Sequence, residues 1–311
     1  MTSLAAVSAY LPAHAEPVVE YLKGFGLSER EIKIYKQYYG FGEVHLDQEV
    51  GLAGQLIAAG RSLPELQGRQ HLVRYIVQAR TMPVIAPYPI NPLHEAREAL
   101  GLTHAQAFAL SQQACASVLM SVELAGRMLA EDGDPDALAL VFVGEKTFTD
   151  DAQVLGVTAV MGEGVAAILV RAGGDRDRVL GFATRTHGKY HRGPKMTPED
   201  HSDWGAAYTS GLTEVIGAAL DRAGLDIDEI DYLLPHHVNR LSWLKVLAAL
   251  GMKDRGRLVM ENLPLVGHCF GADPFMNYHT LRSDGRLKPG HRYLMTAVGL
   301  GATFSAMVFE H

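Results

Sequence analysis

The sequence predicts an α/β protein, because apolar runs typical of strands alternate with the apolar spacing of helices along its 311 residues. Residues 138–144 and 165–170 are continuous apolar runs, as expected of strands that helices cover on both faces. Between residues 118 and 129, apolar side chains instead recur at the spacing of a single helix face. This alternation favours an α/β protein over separate helical and strand regions.

The other predicted elements continue the alternation. A break at residues 172–177 separates two predicted halves, 1–172 and 173–311, and each half offers a progression of strand, helix, strand and helix. No sequence repeat is visible, so a duplication of one half is a hypothesis. In chain order, the other elements are strands at 72–78, 105–110, 179–183, 230–234 and 257–260, helices at 209–223 and 241–250, and a strand pair at 293–298 and 304–309 around a glycine turn.

The composition is that of an ordinary globular protein, with 48% apolar and 20% charged residues. A net charge of −7 argues against a nucleic-acid partner, which favours a basic surface. No stretch approaches the ~20 apolar residues of a membrane helix, and no basic residue precedes the short apolar run at the N-terminus, as it would in a signal peptide. Two cysteines in the whole chain suit a reducing compartment. We therefore expect a cytoplasmic protein without a membrane partner.

Cys115 lies between a predicted strand and the apolar helix, so it is expected at the helix N-terminus. Free backbone amides and the positive end of the helix dipole favour a thiolate there, and the thiolate is the nucleophilic form of cysteine. The alternative for this segment alone is a small buried apolar residue. Cys269, in the glycine-flanked segment 267–271, is expected to be such a small buried residue, because nothing else favours a second nucleophile.

His236 follows a predicted buried strand and is held by Pro235 at the start of a helix, a position from which it could act as a base or a hydrogen-bond donor. Its neighbour His237 is expected in a solvent-exposed loop. No cysteine or carboxylate stands at metal-ligand spacing from this pair, so no metal site is predicted. The glycine turn at 299–303 could aim a backbone amide at an oxyanion, although an ordinary hairpin is the alternative.

Five segments occur in one order: Ala114-Cys-Ala116, Met161-Gly-Glu-Gly164, Pro235-His-His-Val-Asn239, Asp284-Gly-Arg-Leu-Lys-Pro-Gly290 and Gly299-Leu-Gly-Ala-Thr-Phe304. In this order they resemble motifs of the 3-oxoacyl-(acyl-carrier-protein) synthase III family, and the resemblance covers nearly the whole chain. It implies the thiolase fold, in which two similar βαβαβ-type halves with mixed sheets share central helices. It also implies a homodimer.

The resemblance assigns roles to residues. Cys115 would be the nucleophile, His236 the second catalytic residue, and the backbone amides of Cys115 and Leu300 the oxyanion hole. Asn239 would contact the substrate, as would Tyr88, whose Pro-Tyr-Pro loop in relatives reaches toward the acyl pocket of the partner subunit.

Three features depart from the family pattern. His268 stands where the family has its third catalytic residue, an asparagine, so the implied triad is Cys115, His236 and His268, as in chain-elongating ketosynthases. Leu300 replaces a glycine of the closing turn, where a positive φ would be costly. The segment 196–208 does not resemble the family, which leaves the acyl pocket undefined.

The implied activity is acyl transfer through an acyl-Cys115 thioester, formed from acyl-CoA or acyl carrier protein and consumed by decarboxylative Claisen condensation with a malonyl thioester. The CoA or carrier phosphopantetheine is then a substrate, and no permanently bound cofactor is expected. His268 keeps open O- or N-acyl transfer in specialised metabolism at the same Cys-His-His site. A thiolase-fold partner subunit without independent activity is the remaining alternative, against which the retained Cys115 and His236 argue.

Overall fold

The computed structural model describes residues 1–156 and 158–311 of the chain. The strands are β1 Thr2–Tyr10, β2 Ala15–Pro17, β3 Glu43–His45, β4 Val73–Ala79, β5 Gln106–Leu110, β6 Leu138–Val143, β7 Val154–Leu155, β8 Ala159–Val160, β9 Val165–Ala172, β10 Arg178–Thr186, β11 Tyr232–Leu234, β12 Arg292–Gly299 and β13 Thr303–Glu310. The α-helices are α1 Val18–Gly24, α2 Glu29–Lys33, α3 Leu52–Arg61, α4 Pro92–Ala99, α5 Ser117–Asp132, α6 Pro198–Ala223, α7 Arg240–Ala249, α8 Leu263–Val266 and α9 Asp273–Ser283.

A mixed sheet in the order β11-β12-β13-β10-β1-β9-β6-β4-β5 forms the centre of the molecule. Strands β4, β5 and β6 run parallel to one another, as do β11 and β12, and the other neighbours in this sheet are antiparallel. Strands that precede the predicted boundary at residue 172 pair among themselves, and a pairing between Ser3 and Arg178 joins them to those that follow. The division into halves at that boundary stays a prediction.

Helices α5 and α9 both contribute buried side chains to the largest apolar cluster, which also includes residues from both groups of strands. Helix α5 approaches β1 closely, because a Cβ atom on Gly126 would lie 2.0 Å from the Thr2 hydroxyl oxygen. Helix α6 covers the opposite face of the β10–β13 strands, where Leu212, Val215 and Phe304 are buried. The site described below lies where α5 and α9 begin.

Most predicted elements are confirmed within two residues of their predicted bounds, including the closing pair β12 and β13 around residues 300–302. Helix α6 is an exception, since it begins at Pro198 and not near residue 209, with the Thr197 hydroxyl accepting from the Asp200 amide as its N-cap. The polar composition of residues 198–208 hid this extension. The predicted strand at 257–260 is wrong, because those residues contribute a single bridge from Leu258 to Leu233.

Within the described residues, the longest helix is α6, and no helix combines the length and apolar character that crossing a membrane requires.

Candidate active site

The parallel strands β4, β5 and β6 end at the same edge of the sheet, since Ala79 pairs with both Leu110 and Val143. The segments that follow these strands therefore meet at that edge. Ligand sites of α/β sheets form at the carboxyl ends of parallel strands. The strand β5 leads directly into the turn that carries Cys115.

The nucleophile turn, residues 111–116, brings Cys115 to the start of α5. Gln112 and Ala114 have positive φ values of 74° and 46°, which cost side-chain-bearing residues about 1–3 kcal/mol each. Cys115 lies in a short 3₁₀ turn that continues into α5, and its side chain is 6% exposed. Gly299 at the end of β12 packs on this turn so closely that a Cβ atom there would lie 1.8 Å from the Gln113 carbonyl oxygen. The surrounding packing therefore fixes the strained turn.

A second turn, residues 267–272, approaches from the other half of the chain. It leads into α9, and its Gly271 lies against the Cys115 carbonyl, where an added Cβ atom would be 2.7 Å from the oxygen. Gly267 and Phe270 have positive φ values of 71° and 55°. This turn places the His268 ring over the nucleophile, with Nε2 at 3.8 Å from Cys115 Sγ.

The Asp273 carboxylate holds His268 from behind. His268 Nδ1 lies 2.5 Å from Asp273 Oδ2, so the ring is bound at one nitrogen by the carboxylate and faces Cys115 with the other. Asp273 also accepts the backbone amides of Cys269 at 2.7 Å and His237 at 2.6 Å, and it is fully buried. Cysteine, histidine and aspartate thus form a continuous line of contacts, which sequence reasoning had not identified because it stopped at His268.

These contacts set the charge of His268. Burial alone would lower its pKa, but the Asp273 carboxylate and the Cys115 sulfur raise the pKa of His268 to about 10. Burial opposes ionisation of Asp273, yet the adjacent His237 and His268 hold the pKa of its carboxyl below the ordinary value. At neutral pH, His268 is therefore an imidazolium paired with a carboxylate, and it offers a proton to Cys115.

His236 follows β11, and its ring centroid is 6.3 Å from that of His268. Burial, followed by the neighbouring charge of His268, lowers the pKa of His236 to about 3, so this ring is neutral. Its Nε2 atom is hydrogen bonded to the Tyr208 hydroxyl at 2.8 Å, and Trp243 donates to its backbone carbonyl at 2.9 Å. The two predicted catalytic histidines meet in one site in different protonation states.

The prediction for His237 is wrong. Its side chain is completely buried, with Nδ1 at 3.0 Å from the Gly267 carbonyl and Nε2 at 2.9 Å from Asn277 Oδ1. It fastens the His236 segment to the His268 turn and to α9. A loop position implied exposure, but the chain turns inward there because the His237 amide donates to Asp273.

The remaining predicted residues differ in their burial and in the contacts of their side chains. Cys269 is buried, which confirms the expectation of a small buried residue, and burial raises the pKa of its thiol well above the ordinary value. Asn239 uses its amide to cap α7 and to bind the Thr158 carbonyl, so its contact with a substrate stays a prediction. Tyr88 is 98% exposed, and its reach toward a partner subunit likewise stays a prediction.

Leu300 follows Gly299 directly, beside the nucleophile turn, and it has no positive φ, so the expected backbone cost does not arise. Its role in an oxyanion hole remains a prediction.

Besides Asp273, sequence reasoning missed three polar residues. Thr81 follows β4, and its hydroxyl is 3.5 Å from Cys115 Sγ. Glu145 follows β6, is 1% exposed and accepts the Thr81 amide at 2.6 Å. Burial raises the pKa of Glu145 to about 7, against the opposing effect of the Thr81 and Met82 amides and Arg80. Tyr208 belongs to the segment 196–208, which does not resemble the family. Position after a parallel strand was the available signal for Thr81 and Glu145.

In the part of the chain that the structure describes, no group of three or more histidine, cysteine, aspartate or glutamate side chains is arranged to hold a metal ion.

Comparison with known proteins gives a consistent result. Residues 220–311 match the family described as 3-oxoacyl-[acyl-carrier-protein (ACP)] synthase III C terminal. A beta-ketoacyl-[acyl-carrier-protein] synthase III from Rhizorhabdus wittichii is 27% identical over 232 residues, which are 68% of this chain and 70% of that protein. The enzyme of the same name from Sodalis glossinidius is 24% identical over an alignment of 324 positions, which covers 99% of both chains.

Solved structures show the same fold. The protein ChlB3, described as an acyltransferase, superposes with a TM-score of 0.85 at 19% identity, over 99% of this chain and 97% of its own. A 3-oxoacyl-[acyl-carrier-protein] synthase III from Aquifex aeolicus gives 0.84 at 18% identity over 100% of both chains. OleA from Xanthomonas campestris gives 0.83 at 18% identity, over 100% of this chain and 98% of its own. These likenesses confirm the predicted thiolase fold.

Proposed function

We propose that this chain, a 3-oxoacyl-(acyl-carrier-protein) synthase III-like protein of the thiolase superfamily, loads an acyl group from acyl-CoA or acyl carrier protein onto Cys115. It then passes the group to a malonyl thioester by decarboxylative Claisen condensation. The relatives named beta-ketoacyl-[acyl-carrier-protein] synthase III support this class of reaction.

One observation carries the acyl-Cys115 step. Cys115 Sγ stands at a helix start, 3.8 Å from Nε2 of a histidine whose other nitrogen is bound to a buried carboxylate. A protonated histidine beside a cysteine favours the thiolate, and the thiolate is the nucleophile. Cys269, the other cysteine of the chain, is an unreactive buried thiol with a raised pKa.

In the first half-reaction, the Cys115 thiolate attacks the thioester carbonyl and forms a new carbon–sulfur bond. The carbonyl oxygen becomes an oxyanion, for which the amides of Cys115 and Leu300 are the proposed donors. Losing one such donor typically costs about 2.7–4 kcal/mol of barrier lowering. When the intermediate collapses, the bond to the donor sulfur breaks, and the leaving thiolate takes the proton of His268.

In the second half-reaction, the malonyl thioester loses carbon dioxide, and the electron pair of the broken bond forms an enolate. His236 binds the acceptor as an uncharged hydrogen-bond partner, whereas His268, after taking a proton from solvent, offers a charged donor to the enolate oxygen. The enolate carbon attacks the acyl carbonyl, and the bond to Cys115 breaks to restore the thiolate. Each turnover therefore consumes one solvent proton.

A second candidate function is acyl transfer to a hydroxyl or an amine, and the contact between His268 and Asp273 favours it. After His268 has given its proton to the leaving thiol, it is neutral and can take the proton of an incoming acceptor. That exchange restores the starting state without a solvent proton. A carboxylate-oriented histidine beside a cysteine is an arrangement that nucleophilic acyl transferases and hydrolases share.

The acyl-enzyme is tested by intact-protein mass spectrometry after incubation with acetyl-, malonyl- and longer acyl-CoAs, and with the corresponding acyl carrier proteins. We expect a single acyl adduct in the wild type and none in Cys115→Ala. Cys269→Ala is the matched control, because it removes the other cysteine and should load normally. Loading of Cys115→Ala would contradict the mechanism, and no loading of any protein with any donor would favour a subunit that needs a second chain.

The acceptor is tested with the isolated acyl-enzyme. Condensation predicts that malonyl carrier protein discharges it with release of one carbon dioxide and formation of a 3-oxoacyl product. Acyl transfer predicts discharge by alcohols or amines, with an ester or amide product and no carbon dioxide. The product that forms at the higher rate decides between the two functions.

A further inference from the structure

A hydroxyl also contacts the nucleophile, and it comes from the segment after β4 and not from those that carry the histidines. The Oγ1 atom of Thr81 lies 3.5 Å from Cys115 Sγ, within hydrogen-bond reach for a sulfur acceptor. A threonine hydroxyl has one proton that rotates freely toward an acceptor, and a thiolate has no proton of its own to offer. When Cys115 is ionised, the Thr81 hydroxyl must therefore be the donor and the sulfur the acceptor of this hydrogen bond.

The backbone of Thr81 is fixed by a buried carboxylate. Glu145 accepts the Thr81 amide at 2.6 Å and the Met82 amide at 3.2 Å, so it holds two consecutive residues of the segment after β4. Glu145 is itself fixed, because a Cβ atom on the preceding Gly144 would lie 2.1 Å from the Gly164 carbonyl oxygen. Thr81 and Glu145 occupy equivalent positions after the parallel strands β4 and β6.

The two donors to Cys115 differ in what happens to their protons. His268 gives up its proton to the leaving thiol and must recover it before the next cycle. The Thr81 hydroxyl keeps its proton throughout, because an alcohol is far too weak an acid to be deprotonated by a thiolate. It is thus available as a donor when the acyl group leaves and the Cys115 thiolate reappears, whatever the state of His268.

We propose that Thr81 is a further catalytic residue, whose hydroxyl stabilises the Cys115 thiolate by a direct hydrogen bond, with Glu145 as the residue that positions it. The inference rests on the proposed function for the identity of the nucleophile alone. It concerns the free enzyme, so it can be tested without any acyl donor.

The test measures the rate of Cys115 alkylation by iodoacetamide as a function of pH, in the Cys269→Ala background so that one cysteine reports. Thr81→Val replaces the hydroxyl with a methyl group of similar size. We expect the acid limb of its profile to move to higher pH and the rate below the midpoint to fall about three- to tenfold, the effect of one lost side-chain hydrogen bond. The plateau at high pH should stay at the wild-type level.

Two further variants separate the hydroxyl from packing. Thr81→Ser keeps the hydroxyl and should restore the wild-type midpoint. Thr213→Val removes a hydroxyl whose bond to the Thr209 carbonyl lies within α6, and it should leave the profile unchanged. A Thr81→Val profile that coincides with the wild type would overturn the proposal, as would a shifted midpoint that Thr81→Ser fails to restore. Because alkylation needs no acyl substrate, a failure here is distinct from a failure of the proposed function.

Discussion

The turns that carry His236 and His268 face each other across the site, and they leave their histidines in opposite protonation states. Both rings are almost completely buried, at 2% and 4% exposure, so depth does not separate them. Yet the pKa of His236 is lowered to about 3, and that of His268 is raised to about 10. Because burial lowers the pKa of both rings, the carboxylate beside His268 accounts for the difference between them.

The partners differ because the two chain segments end differently. His268 is followed after five residues by Asp273, the first residue of α9, where the helix dipole and the Cys269 amide favour a carboxylate. His236 is surrounded by Tyr208 and Trp243, whose rings bring no charge to the imidazole. The charged histidine is therefore suited to give a proton and the neutral one to bind an uncharged group.

The largest expected effect comes from removing each histidine separately. In His268→Ala, we expect the rate of acyl-enzyme formation to fall by about 10²–10⁴-fold, the usual contribution of a general acid or base. In His236→Ala, loading should proceed within a few-fold of the wild type, while discharge of the isolated acyl-enzyme by its acceptor falls by a similar factor. Rapid quenching followed by intact-protein mass spectrometry measures both rates.

Each variant is the control for the other, because both remove a buried imidazole of the same size. If the two variants lose loading and discharge to the same extent, the histidines act as one unit, and the division of roles described here is wrong.

The next effect concerns the carboxylate that creates the difference. Asp273→Asn removes the charge beside His268, so the pKa of that histidine should fall and Cys115 should lose its charged partner. We expect loading to slow by about 10²–10³-fold at neutral pH, less than the roughly 10⁴-fold loss known for the aspartate of a serine-protease triad because a thiol is the better nucleophile. The pH profile of iodoacetamide alkylation should shift to higher pH in parallel.

Asp177→Asn is the matched control for that change. Asp177 is also fully buried, and it accepts bonds from Tyr278, Tyr293 and His311 far from Cys115. Its replacement should lower the free energy of unfolding but leave alkylation unchanged. Equal losses of alkylation in both variants would mean that Asp273 acts through general stability alone.

The two histidines should also impose opposite pH dependences on the free energy of unfolding. His268 has a raised pKa, so its contribution is fully present below the unfolded value of about 6.5 and is lost as pH rises toward 10. His236 has a lowered pKa, so its contribution is lost as pH falls from about 6.5 toward 3. Each slope is at most about 1.4 kcal/mol per pH unit.

Urea unfolding of the wild type, His268→Gln and His236→Gln at pH 5, 6.5 and 8.5 measures these slopes. The difference between wild type and variant isolates one histidine and cancels groups common to both, such as Glu145. The alkaline slope should disappear from His268→Gln and the acid slope from His236→Gln. Slopes of the same sign for both histidines would contradict the assignment.

Sequence periodicity located most strands and helices because a buried strand or helix face must be apolar, as in residues 138–143 and 117–132. Periodicity missed elements whose side chains are not strongly apolar. The strand Thr2–Tyr10 lies between β9 and β10 in the sheet, but it is rich in alanine and serine, so its apolar signal is weak. The first turns of α6 are polar because they lie on the surface.

The site divides in the same way. Family motifs pointed to Cys115, His236 and His268, and the structure brings them together. The carboxylate Asp273 was missed because its role depends on a hydrogen bond to His268 across the 267–272 turn, which no spacing rule specifies without coordinates. His237 was placed wrongly for the converse reason, since its three partners Gly267, Asp273 and Asn277 come from segments distant in sequence.

A substitution at Tyr208 gives the smallest expected effect, because it removes one hydrogen bond to the neutral His236 and leaves the ring in place. Its hydroxyl lies 2.8 Å from His236 Nε2, and burial raises its pKa well above 10, so it stays a neutral donor or acceptor at all working pH values. Tyr208→Phe keeps the ring packed against Phe304 and removes this one hydrogen bond. We expect discharge of the acyl-enzyme to slow about three- to tenfold, with loading and the His268 alkaline slope unchanged.

The matched control is Tyr190→Phe in the same aromatic cluster, which should leave discharge at the wild-type rate. If Tyr208→Phe slowed loading instead, the hydroxyl would serve the charged histidine, and the separation between the two turns would be smaller than their pKa values indicate.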